Sequence, residues 1–332
     1  MKTLIKIMID DINRSTRGNS LRLFLGRLIR QFFPNFRYSE TYGFSFDSII
    51  RISVLGKPFY VDPEDGGVGE FLLNNAIYEA DETKLLSILL KPGMTFIDIG
   101  ANIGYFTVLA AKAVLKEGLV IAFEPDPHNV KLLMKNIKVN KLKNVTIVNK
   151  AVSDKPGHVR LFLSEVNSGD HRIYDGKDDE YFNAGMPRRE IKVETTTLEE
   201  YLCGNSRTAD VIKMDIQGAE YAALQGMKRT LNQNPAIVLF AEFWPYGIKS
   251  CGHDPVCFLM DLFDLDFRIY AHKDRLSASF KHTTHYEWDG PFKEHTSIKE
   301  FLETLSEVRW TNLVCSRRKL ELGSNFQELI RA

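Results

Sequence analysis

Cysteine is scarce: the 332 residues hold four (Cys203, Cys251, Cys257 and Cys315) and no CxxC pair. That is too few for a disulfide framework, and the spacing is wrong for a structural zinc site, so a reducing, cytoplasmic compartment is expected. Net charge is absent as well. The 43 Lys and Arg balance the 43 Asp and Glu, which excludes the large positive field of a dedicated nucleic-acid binder. No apolar run approaches the roughly 20 residues of a membrane span. The start, MKTLIKIMIDD, has neither the apolar length nor the small-residue cleavage site of a secretory signal. What is present is ordinary globular composition, 44% apolar and 26% charged, enough for one large α/β domain with additions.

The charge is unevenly spread, with eight Lys or Arg against three Asp or Glu in residues 1–40. There Leu21, Phe24, Leu25, Leu28, Ile29 and Phe32 recur at helical spacing, with Arg22, Arg27 and Arg30 between them. Two readings stay open. One is an amphipathic helix in peripheral contact with anionic lipid at the inner membrane face. The other is a helix packed on its own domain or on a second subunit of a homo-oligomer.

Residues 48–61 read as a hairpin, residues 80–90 as a helix, and from there strands alternate with helices. The strands are expected near 95–99, 119–123, 145–149, 210–214, 236–241, 267–271 and 312–316. Asp126 and Pro127 start a helix whose expected apolar face is Val130, Leu133, Met134 and Ile137. About 60 residues separate the third and fourth strands, far more than a βαβ unit needs, so an insertion at about 155–195 is expected over the active face. The fold class is α/β, a doubly wound sheet. Residues 1–75 form an N-terminal helical and hairpin extension, and 76–332 the main domain.

The sharpest local signal is FIDIGANIGYFTVLAA at 96–111, a buried strand, a glycine-bearing turn and a helix. Gly100 and Gly104 permit positive φ and close backbone approach of a ligand. The spacing is D-x-G-x-N-x-G and not the dinucleotide G-x-G-x-x-G, and Asp98 would repel a diphosphate, so a cationic ligand group fits better. Glu124 ends the second strand, where a Rossmann-like sheet places an acid against ribose hydroxyls.

Together with YEADETKLLSILLKPGMTFIDIGANIGYFT, AFEPDP, NVTIVNKAVSD and DVIKMDIQGAEYAALQGM, these residues resemble the FkbM family of S-adenosylmethionine-dependent methyltransferases over 77–245, about half the chain. The resemblance implies a Rossmann-like class I fold, a seven-stranded mostly parallel sheet with helices on both faces. It implies S-adenosyl-L-methionine as cofactor and methylation of a hydroxyl on a glycan, glycolipid or secondary metabolite. Asp98, Gly100, Asn102 and Gly104 match the family's cofactor loop and Glu124 its ribose acid. The turn from Lys150 to Asp154 falls at the adenine position, with Ala151 as the expected amide contact and Asp154 beside it.

Methyl transfer to an alcohol needs a base for the hydroxyl proton. Asp215 or His171 is the expected base, with Glu242 orienting the acceptor. The pair Asp215 and Glu242 also suits a divalent ion that lowers the hydroxyl pKa, although too few third ligands are visible for a metal residue to be named. Arg172, Arg188 and Arg189 are candidates for an anionic substrate group or for a solvated loop. Phe243, Trp244 and Tyr246 suit either sugar stacking or core packing. Cys251, His253 and Cys257 read as a loop closing onto a helix, with Cys257 buried, more readily than as a metal site. His282, His285 and His295 define no site by spacing. The rival functions are a nicotinamide-dependent oxidoreductase, which Asp98 and the missing fingerprint oppose, and a non-catalytic scaffold of the same fold.

Overall fold

A computed structural model of the chain describes residues 37–39, 43–45, 49–176, 188–203, 208–272, 292–295 and 310–320. The helix expected within residues 1–36 and the histidines at 282 and 285 lie outside these residues, and His295 is described as backbone alone.

Two hairpins come first, β1 (Arg37–Ser39) with β2 (Gly43–Ser45), and β3 (Ile50–Val54) with β4 (Lys57–Val61). Helices α1 (Val68–Asn75) and α2 (Ala80–Leu89) lead into the alternating part: β5 (Thr95–Ile99), α3 (Tyr105–Ala113), β6 (Leu119–Phe123), α4 (Pro127–Val139) and β7 (Val145–Val148). A small sheet follows, formed by β8 (Ala151–Val152), β9 (Gly157–Leu163) and β10 (Arg189–Thr196), in the order β8-β10-β9. Then come α5 (Leu198–Leu202), β11 (Val211–Met214), α6 (Glu220–Gln225), α7 (Lys228–Gln233), β12 (Val238–Phe243), α8 (Pro245–Ser250), α9 (Pro255–Asp264), β13 (Arg268–His272), β14 (Phe292–His295) and β15 (Thr311–Ser316).

The main sheet has the order β14-β13-β15-β12-β11-β5-β6-β7. Strands β7, β6, β5, β11 and β12 pair in parallel, and β15 enters antiparallel between β12 and β13. These are the seven strands of the class I arrangement, with β14 adding an eighth at the edge. The strand order reverses between β5 and β11, and at such a switch point the carboxyl ends of the strands open a crevice. Register pairs Ile99 with both Phe123 and Met214, so Gly100, Glu124 and Asp215 leave the sheet side by side.

Alternate residues of each central strand enter opposite cores, because side chains on a strand point to alternate faces. Ile97, Ile121, Ile212 and Leu239 pack with Leu224, Met227, Phe258 and Leu259 on one side. Phe96, Val120, Val211 and Phe240 pack with Leu85 and Phe106 on the other, where Phe59 and Val61 of β4 and Leu72 of α1 join the same core. Burial on both faces is why these strands read as unbroken apolar runs.

Helix α4 differs from its expected face. Asp126 caps it, accepting from the amides of His128 and Asn129 at 3.1 and 3.4 Å. Its buried side, however, is Asn129, Leu132, Leu133 and Asn136, while Met134 is 56% exposed. The reason is polar. Asn136 receives the amide of Tyr60 (2.6 Å) and donates to the carbonyls of Tyr60 (3.0 Å) and Ile103 (2.8 Å), tying the β3–β4 hairpin and the β5–α3 turn to α4.

Candidate active site

The β5–α3 turn holds one wall of a cavity above the switch point. Asp98 is buried at the end of β5 and accepts from Thr107 Oγ1 at 2.5 Å. Burial pushes its pKa up to about 6, against the opposing pull of Thr107 and Lys213. Gly100 turns at φ +85°, and a Cβ there would collide with the carbonyl oxygen of Asp215, so only glycine lets the two strand ends lie this close. Asn102 takes the left-handed conformation at φ 50° and donates its amide to Glu124 Oε2 at 2.8 Å. The other oxygen of Glu124 accepts from the amide of Asp126 at 2.9 Å. Burial pushes Glu124 up to about 7, with the Asp126 amide, His171 and the Asn102 amide working the other way.

Asp98, Gly100, Asn102, Glu124, Ala151, His171 and Asp215 line this one cavity. Three expected site residues do not. Gly104 precedes α3 at φ +91°, and a Cβ there would collide with Leu133 of α4, so it shapes the turn and the packing behind it. Asp154 is exposed and accepts from Ser153 Oγ at 3.0 Å, while Lys150, Ala151, Val152 and Ser153 supply the lining at that turn. Glu242 stands behind Gln217, as described below.

The roof comes from the segment between β9 and β10. His171 accepts the Ser164 amide on Nδ1 at 3.1 Å, which places its proton on Nε2, 3.4 Å from Asp126 Oδ2. Both ring nitrogens are engaged on the Glu124 side of the cavity, so in this arrangement His171 braces the roof. Ser168 is held from two directions. Its amide and hydroxyl donate to Asp65 at 2.6 and 2.9 Å, and Asn102 Nδ2 donates to its carbonyl at 3.0 Å. Asp65 and Ser168 were not legible as site residues: Asp65 reads as turn chemistry in VDPEDGGVGE, and 103 residues separate the pair.

The arginines also depart from expectation. Arg172 is 1% exposed, donates through Nε to Asp170 Oδ1 at 2.6 Å, and lies 4.6 Å from the centre of the Trp244 ring. Arg188 meets the other Asp170 oxygen at 2.5 Å. Asp170 thus pairs with both guanidinium groups, and Arg189 is exposed. Phe243 and Trp244 are buried, which makes them core, and half-buried Tyr246 packs 5.6 Å from Trp244. Cys257 is exposed where burial was expected, because Phe258 and Leu259 occupy the core side of α9. Among the described residues no three His, Cys, Asp or Glu side chains converge as a metal site.

The floor is rich in carboxylates. Lys213, inside β11, is buried, with Nζ 3.3 Å from Glu79 and 3.4 Å from Asp215. Burial works against its charge, yet Glu79, Asp215, Asp98 and Glu82 together hold its pKa above the ordinary lysine value. Gln217, in a left-handed conformation at φ 54°, donates through one amide nitrogen to Asp215 at 2.9 Å and to Glu242 at 3.0 Å. Burial, Asp215, Glu220 and Glu79 push Glu242 well above the usual carboxyl range. Glu220 accepts the amides of Ile216 and Gly218 at 2.9 and 2.8 Å and closes the turn, and burial lifts it to about 7. Several ionisable carboxyls therefore surround one lysine beneath the cavity, and burial keeps part of them protonated until a positive charge favours their ionised form.

Residues 98–277 match the family described as Methyltransferase FkbM domain, more than half of the chain. The chain belongs to the FkbM methyltransferase family. Its cofactor is accordingly S-adenosylmethionine. The chain is 29% identical over 197 residues to 2-O-methyltransferase NoeI of Sinorhizobium fredii, covering 54% of this chain and 74% of that protein. An FkbM methyltransferase from Methylobacillus flagellatus superposes with a TM-score of 0.38 at 14% identity, over 74% of this chain and 52% of the other, so the match spans about half of that solved chain. A methyltransferase from Streptococcus mutans, solved with S-adenosylhomocysteine, gives 0.39 at 12% identity over 71% and 96%. No described helix is long and apolar enough to cross a membrane.

Proposed function

We propose that this FkbM methyltransferase methylates a hydroxyl group on a glycan, glycolipid or secondary metabolite. The observation that carries the reading is Asp215, which lines the cavity at the end of β11 with one oxygen held by Gln217 and the other beside Lys213. When bound, S-adenosylmethionine supplies an electrophilic methyl group. Glu124 would hold it by the ribose hydroxyls, since each of its oxygens keeps a second lone pair after accepting one backbone amide. The amide of Ala151 would meet the base, and Asp98 and the acidic floor would face the positive charge.

Asp215 would then take the acceptor's hydroxyl proton, since a neutral alcohol is a poor nucleophile. Gln217 fixes the position of Asp215 through a bond that Glu242 shares. The 2-O-methyltransferase name of the Sinorhizobium relative supports oxygen as the atom methylated.

Titration calorimetry with S-adenosylhomocysteine, run beside NADH, tests the cofactor half. Micromolar binding is expected for the first and none for the second. Glu124→Ala should weaken binding by about 1–3 kcal/mol through lost ribose hydrogen bonds. Binding of NADH in its place would return the chain to the oxidoreductase reading, and cofactor binding with no methyl leaving it in a broad acceptor screen would favour a scaffold.

A further inference from the structure

The surface of α4 and the β3–β4 hairpin is strongly segregated by charge. Residues 127–149 hold five lysines (Lys131, Lys135, Lys138, Lys141 and Lys143) and no acid, and residues 48–61 add Arg51 and Lys57, again with no acid. All seven are exposed, and none forms an ion pair among the described residues. The two elements form one surface. Asn140 Nδ2 donates to the carbonyl of Pro58 at 2.8 Å, which sets Lys57 beside the last turn of α4, and Asn136 joins Tyr60 one turn earlier. Solvated protein faces normally mix charges of both signs, and this chain has equal numbers of each to mix.

An apolar groove runs through the middle of the patch. Ile49 and Leu132 are its apolar lining, exposed Met134 stands at its edge, and Lys131, Lys135 and Lys138 surround it. Apolar side chains set among lysines that form no ion pair, with exposed His128 at one end and no exposed Phe, Tyr or Trp among the described residues of the patch, match an anionic lipid surface better than a nucleic acid. The groove is also close to the active site along the helix. Asn129, on the first turn of α4, lines the catalytic cavity, and Lys131 and Leu132 follow in the groove.

We infer that the lysine face of α4, with the Ile49–Leu132–Met134 groove at its centre, docks the enzyme on an anionic phospholipid surface. Lysines near such a surface attract it over about a Debye length, and the apolar groove adds contact with the headgroup boundary. The inference is independent of the acceptor proposed above and of residues 1–40, which the test leaves unchanged.

The test is sedimentation of the full chain with phosphatidylcholine vesicles, with and without phosphatidylglycerol, at low and high salt. The wild type should bind only the anionic vesicles and be released by salt. K131E/K135E/K138E should lose on the order of a hundredfold in vesicle affinity, at about 1 kcal/mol for each lysine removed. Its affinity for S-adenosylhomocysteine should stay at the wild-type value, which shows that the variant is folded. Binding of the variant equal to wild type would overturn the proposal and assign any membrane contact to other residues. Equal binding to neutral vesicles, or a wild type that ignores vesicles yet shifts RNA in a gel, would overturn it too.

Discussion

At the scale of single residues the site is a problem in placing charge. Asp215 is the only acid of the floor that both reaches the cavity and has its two oxygens held by neighbours of different kinds, an amide and an ammonium, among the described residues. An amide side chain in its place keeps the size and can still meet Lys213, but it takes no proton. Asp215→Asn should therefore leave the dissociation constant of S-adenosylhomocysteine within about twofold while turnover falls by at least 10²-fold, the usual value of a positioned base. Calorimetry and a methyl-transfer assay on the same preparation separate the two effects. Unchanged turnover would remove Asp215 from the role. His171 lines the same cavity, with Nδ1 accepting from the Ser164 amide and Nε2 facing Asp126.

At the scale of elements, α4 is the strut that joins the β3–β4 hairpin to the cofactor loop, and Asn136 does the joining. Asn136→Ala leaves the Tyr60 amide and the Tyr60 and Ile103 carbonyls without their side-chain partner, each costing about 1–3 kcal/mol where nothing replaces it. The expected loss is about 2–4 kcal/mol, read as a lower midpoint in urea at unchanged slope. An equally stable variant would mean that the hairpin is held by Phe59 and Val61 alone.

The same helix marks the limit of what the sequence discloses. The central strands are legible because burial on both faces leaves apolar runs such as TFIDI and LVIAF, and the cofactor turn because Gly100 has no substitute. Asn136, Asp65 and the Asp170 pairing with Arg172 are not legible. Their partners lie far along the chain or depend on which face of an element turns inward, and polar residues carry no periodic signature of being buried.

At the scale of the whole molecule, equal numbers of basic and acidic groups conceal a lopsided interior. Asp98 is raised to about 6, Glu124 and Glu220 to about 7, and Glu242 well above the usual carboxyl range, all chiefly by burial. Unfolded, these groups would titrate near their ordinary values of about 4. Between pH 4 and 7 the folded chain therefore binds more protons than the unfolded one, and stability must fall as pH rises through that interval. Asp126 works in the opposite sense. Burial would raise it, but the hydrogen bonds from His171 and from the amides of His128 and Asn129 hold it low, so its contribution is lost only as the solution is acidified below about pH 4. The ligand-free enzyme should accordingly melt several degrees lower at pH 8 than at pH 5, on the scale of about 2–4 °C per kcal/mol for a domain of this size. Glu124→Gln removes one of the titrating acids and should flatten the slope. S-adenosylmethionine should flatten it as well, since a bound cation favours the ionised acids and proton release accompanies binding. Thermal melts across pH, with and without the cofactor, would show this. A melting temperature that rises from pH 5 to 8 in the ligand-free protein would mean that the acidic floor is already hydrated or neutralised, and the electrostatic case for a cationic ligand would fall with it.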